Sequence, residues 1–210
     1  MTHHETLTFP TGGLTLQARW DLPEDPQRAV VLCHPHPMQR GTMNAPLVVA
    51  IAESLAHDGF AVLRFNFRGV GDSTGEHDFG EGEMDDIAAA VEVAAARFPQ
   101  LPLGVAGWSF GAVTSLRWQA RDGATHNWVG VATPVGSTRS KDMPEPSTLS
   151  PAQRTMIIGD RDQFASAEDT RTYADSIGAH LEVLKGSDHF FYFREEKVAS
   201  LVAAGLSEPV

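Results

Sequence analysis

The sequence predicts an α/β fold with a mostly parallel central sheet, helices on both of its faces and an N-terminal β-hairpin, in one domain covering residues 1–210. Three features predict it. Short unbroken apolar runs recur along the chain and stop at turn-forming residues, as expected of parallel strands buried on both faces. Segments of helical apolar spacing separate these runs and supply the crossovers that parallel strands need. Ahead of both lies a period-two alternation broken by a Gly-Gly pair.

Taken in order, Thr6 to Trp20 alternates apolar and polar residues around Gly12-Gly13, the pattern of a hairpin with one covered face. Ala29 to Cys33 is the first buried strand and runs into Pro-rich sequence. Asn44 to His57 has helical spacing and ends at Gly59; Phe60 to Phe67 is the second buried strand. The Ala-rich stretch from Glu81 to Phe98 reads as a helix stopped by Pro99 and Pro102. Leu103 to Ala106 is the third strand, and Phe110 to Ala120 the helix that leaves it. Trp128 to Ala132 and Thr155 to Ile158 continue the strand series, and Leu181 to Leu184 is a weaker last strand. Gly136 to Pro151 is polar, punctuated by proline and too short to be a domain.

Bulk properties narrow the function. A hydrophobic share of 42% and a charged share of 20% are those of a folded globular chain, not of a disordered one or a coiled coil. The formal net charge of -11, with no compensating Lys/Arg run, opposes phosphate backbones and anionic lipid. The expected partner is therefore a small molecule, with no nucleic acid and no membrane, and the expected assembly a monomer or homodimer. The single cysteine, Cys33, cannot form an internal disulfide. The opening residues have neither a basic region nor an apolar run, and no stretch approaches the ~20 apolar residues of a membrane helix. The expected location is the cytoplasm.

Gly107-Trp108-Ser109-Phe110-Gly111 matches G-x-S-x-G and lies where a strand turns sharply into a helix. Glycines let strand and helix crowd together, so the serine hydroxyl projects from the apex as a nucleophile, and the helix start directs N–H groups and positive dipole toward it. Such a hydroxyl needs a base, and the base a third group that fixes its tautomer. His189, in Gly186-Ser187-Asp188-His189-Phe190-Phe191 after the last strand, is the candidate base. Two aspartates, Asp160 and Asp162, follow the Thr155 strand. Asp162 lies further along its loop and can reach across, so it is the expected acid, whereas Asp160 is placed to cap the turn or pair with Arg161. His57, His77, His126 and His180 carry structural readings only.

The loop Cys33-His34-Pro35-His36-Pro37-Met38 leaves the first buried strand, and its prolines remove N–H donors and stiffen it. In an oxyanion hole, the N–H of Phe110 is the expected first donor and that of His36 the second, with Met38 next in line. Met38, Trp108, Phe164 and Phe190 are candidate substrate contacts, and Phe110 and Phe191 are further aromatics that could line an acyl pocket. Cys33, His34 and His36 lack a fourth ligand at metal-site spacing, so neither a metal nor a cofactor is expected.

These residues resemble the α/β-hydrolase superfamily, and within it the compact bacterial serine hydrolases without a cap domain, near the esterase and dienelactone-hydrolase-like groups. The resemblance covers most of the chain. Asn66-Phe67-Arg68-Gly69-Val70-Gly71-Asp72-Ser73 is similar to the family's D-x-R-G-x-G-x-S loop, with Asn66 in place of the usual aspartate, and the nucleophile is serine where dienelactone hydrolases have cysteine. The resemblance implies a triad in the chain order Ser109, Asp162, His189, a supporting role for the Arg68 loop, and an open cleft where Gly136 to Pro151 replaces a lid. It implies hydrolysis of small or short-chain esters through an acyl-enzyme. Thioesterase, peptidase, acyltransferase and perhydrolase chemistry, or a non-catalytic binding role, are the alternatives.

Overall fold

In a computed structural model, which describes residues 2–137 and 143–208, eight strands join in one sheet of order β1-β2-β4-β3-β5-β6-β7-β8. β1 (His3–Thr11) and β2 (Leu14–Leu22) form the hairpin, and β2 pairs antiparallel with β4 (Phe60–Phe65). β3 (Arg28–Cys33), β4, β5 (Leu103–Trp108), β6 (Asn127–Val131), β7 (Arg154–Gly159) and β8 (His180–Leu184) are parallel neighbours. The helices are α1 (Pro46–His57), α2 (Gly82–Arg97), α3 (Phe110–Asp122), α4 (Ala167–Ser176) and α5 (Glu195–Ser207).

The period-two rule places side chains on alternate faces, and this division builds two cores. Ala29, Val31 and Cys33 of β3 join the core under α2 and α3, whereas Val30 and Leu32 join the core under α1 and α5. Both faces of the parallel strands are thus covered, which is why their sequences are apolar without alternation. Each large side chain so buried contributes ~1.5–3 kcal/mol of transfer free energy.

The structure adds two helices to the expected set. α5 buries Val198, Ala199, Val202, Gly205 and Leu206, a one-sided stripe at helical spacing that packs beside α1. α4 starts at Ser166, whose hydroxyl accepts the Asp169 N–H at 2.9 Å, a side-chain cap on the first turn. Boundaries also move. α1 begins at Pro46, not Asn44, because proline lacks an N–H and suits the first helical position. β4 ends at Phe65, two residues before the expected Phe67.

Between β6 and β7 the described residues hold one 3-10 turn, Pro146–Thr148, and no cap; part of the expected Gly136 to Pro151 loop, 138–142, lies outside the described residues. Among the described residues no helix is long and apolar enough to cross a membrane.

One buried ion pair ties the hairpin to the sheet. Arg64 Nε donates to Asp21 Oδ2 at 2.5 Å, and its Nη1 donates to the Met43 carbonyl at 2.8 Å and to Asn44 Oδ1 at 3.3 Å, all at the entry to α1. Both side chains are almost fully buried, so loss of the carboxylate strands a guanidinium out of water. Asp21→Asn is expected to lower the unfolding free energy by about 3 kcal/mol or more. Urea titration with an unchanged slope measures this, and a loss under about 1 kcal/mol would contradict it.

Candidate active site

Ser109 follows β5 and precedes α3 with φ 54° and ψ -112°, a positive φ that costs a non-glycine residue energy. Its N–H donates to the Val131 carbonyl at 2.8 Å, prolonging the β5–β6 ladder to the residue at the apex. The flanking glycines matter for space. A Cβ on Gly107 would collide with the Gly111 backbone, and one on Gly111 would meet the carbonyl oxygens of Cys33 and His34. Strand, helix start and the exit of β3 therefore meet at van der Waals limits, as G-x-S-x-G requires.

The loops after β7 and β8 converge on this apex. His189 Nε2 lies 2.9 Å from Ser109 Oγ, and His189 Nδ1 lies 2.8 Å from Asp162 Oδ2. The Asp162 side chain is fully buried, and its Oδ1 accepts the N–H groups of Phe164 (2.8 Å) and Ala165 (3.1 Å), so its own loop aims the carboxylate. That arrangement places the Nδ1 proton of His189 toward Asp162 and leaves Nε2 as an acceptor for the Ser109 proton. Asp160 instead accepts the Gly186 N–H at 2.6 Å and joins the two loops. Asp188 accepts the N–H groups of Phe190 and Phe191, closing the turn that presents His189.

The β3 exit loop runs beside the start of α3. His34 is buried, with Nδ1 2.6 Å from the Pro35 carbonyl and Nε2 accepting the Phe67 N–H at 3.1 Å, so both ring nitrogens bind backbone. Burial depresses its pKa to about 4, and the ring stays neutral. It thereby fastens the β3 loop to the loop after β4. His36 Nδ1 accepts the Met38 N–H at 3.2 Å, so the Met38 donor is taken. The N–H groups of His36 and Phe110 find no acceptor among the described residues, and their rings pack with centroids 5.1 Å apart.

Of the expected substrate contacts, Phe164 packs edge-on against the His189 ring at 4.6 Å, and Phe190 contacts both Phe164 and His189. Met38 is 73% exposed and Phe190 37% exposed. Trp108 is 7% exposed, and its indole N–H donates to the His189 carbonyl at 3.2 Å, which places it under the histidine loop. Phe191 is fully buried with φ 53°. Arg68 grips Asp86 of α2 through Nε, Nη2 and its backbone N–H, so its guanidinium is committed within the fold. Sequence reasoning gave His77 only a structural place and passed over Glu83. The two are 2.6 Å apart behind His36, a proximity with no sequence signature beyond their six-residue spacing.

Comparison with known proteins agrees with this fold. The family described as serine aminopeptidase, S33, matches residues 24–150. An α/β serine hydrolase without a lid from Xanthomonas campestris superposes with a TM-score of 0.82 at 31% identity, covering 98% of this chain and 93% of that one. An α/β serine hydrolase homologue from Coxiella burnetii gives a TM-score of 0.85 at 28% identity, covering 99% of each chain. An uncharacterised protein of Rickettsia prowazekii is 29% identical over 198 residues, 89% of this chain and 82% of its own length.

The neutral His34 ties site geometry to pH. Its folded-state pKa of about 4 lies below the ordinary 6.5, so the folded chain resists protonation more than the unfolded chain does. Its contribution is complete above pH 6.5 and is lost as pH falls through about 4, amounting to about 3 kcal/mol over the full range. His34→Asn is expected to flatten the pH dependence of unfolding free energy in that window. Urea titrations at several pH values check it; a variant whose deficit from wild type is the same at every pH contradicts it.

Proposed function

From a chain that belongs to the α/β-hydrolase family described as serine aminopeptidase, S33, we propose a serine hydrolase that cleaves small or short-chain carboxylic esters with Ser109, His189 and Asp162 as its triad. The observation that carries the reading is the unbroken hydrogen-bonded line from Ser109 Oγ through both nitrogens of His189 to Asp162. Three residues from three loops have no structural need to align in this order, and the alignment is what nucleophilic acyl transfer demands.

In the proposed reaction, His189 Nε2 takes the Ser109 proton as Oγ attacks the ester carbonyl. The resulting oxyanion lies between the N–H groups of Phe110 and His36, donors that the surrounding backbone leaves free. His189 passes its proton to the departing alcohol, and the acyl group stays on Ser109. Water then attacks with His189 as base, the carboxylic acid leaves, and Ser109 regains its proton. Asp162 remains ionised throughout and stabilises the imidazolium. No step calls for a metal or cofactor.

Exposed Met38 and Phe190 and half-buried Phe164 favour a small acyl group at an open site. Trp108 acts from below by holding the His189 loop. A monomer or homodimer acting on a soluble ester in the cytoplasm fits the acidic charge and the single, buried Cys33.

A fluorophosphonate probe is expected to label wild type and to leave Ser109→Ala unlabelled; equal labelling would overturn the nucleophile. Asp162→Asn is expected to reduce kcat by about 10⁴, whereas Asp160→Asn lowers thermal stability with kcat within a few-fold. The opposite ranking would exchange the aspartates. Matched acetyl ester, thioester and amide substrates test the leaving group: ester turnover should lead, and faster amide cleavage would make the chain a peptidase instead.

A further inference from the structure

Behind the proposed oxyanion donors sits a second carboxylate–imidazole pair. Glu83, at the start of α2, is fully buried, and its carboxylate accepts the Asp78 N–H at 2.9 Å and the Gly80 N–H at 2.8 Å, besides facing His77 Nδ1 at 2.6 Å. The His77 side chain is only 8% exposed, and among the described residues its Nε2 has no hydrogen-bond partner. Buried polar atoms are ordinarily paired, by protein or by ordered water, so the place of this nitrogen in the fold asks for an account.

The ring contacts supply it. His77 packs on His36 with centroids 5.2 Å apart and on Phe110 at 5.4 Å, and those two rings touch each other at 5.1 Å. His36 and Phe110 are the residues that carry the two proposed oxyanion N–H groups, one on the β3 exit loop and one on the first turn of α3. A single imidazole thus abuts both, and Glu83 holds that imidazole from the third side. Resting on the esterase reading above, we propose that His77 is a positioning residue: anchored by Glu83, it sets the distance between the two backbone donors. An oxyanion hole works only if both donors stand ready before charge develops, so a wall shared by both side chains acts on the transition state more than on substrate binding.

The experiment compares wild type, His77→Asn and His77→Phe. Asparagine retains an N–H for Glu83 but lacks the outer part of the ring; phenylalanine retains the ring but not the anchor. Each is assayed for hydrolysis of p-nitrophenyl acetate and for inhibition by an alkyl trifluoromethyl ketone, whose adduct with Ser109 carries an oxyanion. Near-UV circular dichroism monitors packing. Both variants are expected to lose 10- to 100-fold in kcat, the order of magnitude for a displaced catalytic group, with KM within about twofold. The ketone inhibition constant should rise by the same factor as kcat/KM falls. A natively packed variant with wild-type kcat, or one whose kcat falls while ketone affinity stays put, overturns the inference. So does failure of both variants to reach a native spectrum, since His77 would then serve folding. Ser109→Ala, assayed alongside, separates the two claims. If it turns over like wild type the triad reading itself fails; if it is inactive while the His77 variants match wild type, only the positioning role fails.

Discussion

The constraint on which the site depends is the crossing of three backbones at Gly107, Ser109 and Gly111. β5 can deliver a side chain to the apex of a strand-to-helix turn only if α3 starts almost on top of it, and α3 can start there only if the exit of β3 passes within contact of Gly111. This one crowded point fixes several things together. It forces Ser109 to positive φ, aims Oγ out of the sheet, and brings the loop bearing His36 alongside the free N–H groups of the α3 first turn. A Cβ at either glycine would push apart the strand, helix start and β3 exit that meet at Ser109.

Strain is not confined to Ser109. Arg40, Phe79, Ala132, Phe191 and Phe193 also have positive φ, and each follows the C-terminal end of a parallel strand, on the edge where the site lies. At the opposite edge, where α1, α3 and α4 return to β4, β6 and β8, the chain meets the same need with Gly59, Gly123 and Gly178. Glycine relieves the cost where nothing but a turn is required. The site edge uses glycine too, at Gly69, Gly71, Gly75, Gly80, Gly136 and Gly186, and the non-glycine residues of positive φ beside them cost about 1 kcal/mol each. The two apolar cores and their buried aromatics stabilise the framework that tolerates this.

Much of this was legible in the sequence because local rules and global packing agree there. Strands covered on both faces read as bare apolar runs, and Gly107 and Gly111 mark the nucleophile turn without help from tertiary contacts. Asp162 could be preferred to Asp160 from loop position alone, because a carboxylate right after a strand is claimed by the neighbouring loop, as the Asp160–Gly186 bond illustrates. α5 was also readable, since Val198, Val202 and Leu206 keep helical spacing, but its short Ala- and Gly-rich turns blur the apolar stripe. α4 buries only Thr170 and Ala174, too little for a periodic signal. Apart from the Ser109, Asp162 and His189 constellation, contacts between side chains on separate loops left no trace. Trp108 reads as a pocket aromatic until its indole N–H is seen holding the His189 carbonyl. His77 carries a structural reading only until the fold sets Glu83 against it.

Among the described residues two buried carboxylate–imidazole pairs have nearly equal length, Asp162–His189 and Glu83–His77, and the contrast says why the proposed chemistry falls to one of them. In both, a carboxylate fixed by backbone N–H groups faces Nδ1 and directs the ring. Their difference lies at Nε2. That of His189 meets a hydroxyl held on a strained backbone at the open edge of the sheet, so a proton can leave Oγ as a bond to substrate forms. The His77 ring packs against those of His36, Phe79 and Phe110, and its Nε2 is buried with no hydrogen-bond partner among the described residues. A carboxylate and an imidazole therefore make an oriented ring, and only the group presented to the far nitrogen turns orientation into catalysis. In the proposed reaction the same device serves the site twice, once to move a proton and once to hold still the donors that receive the charge.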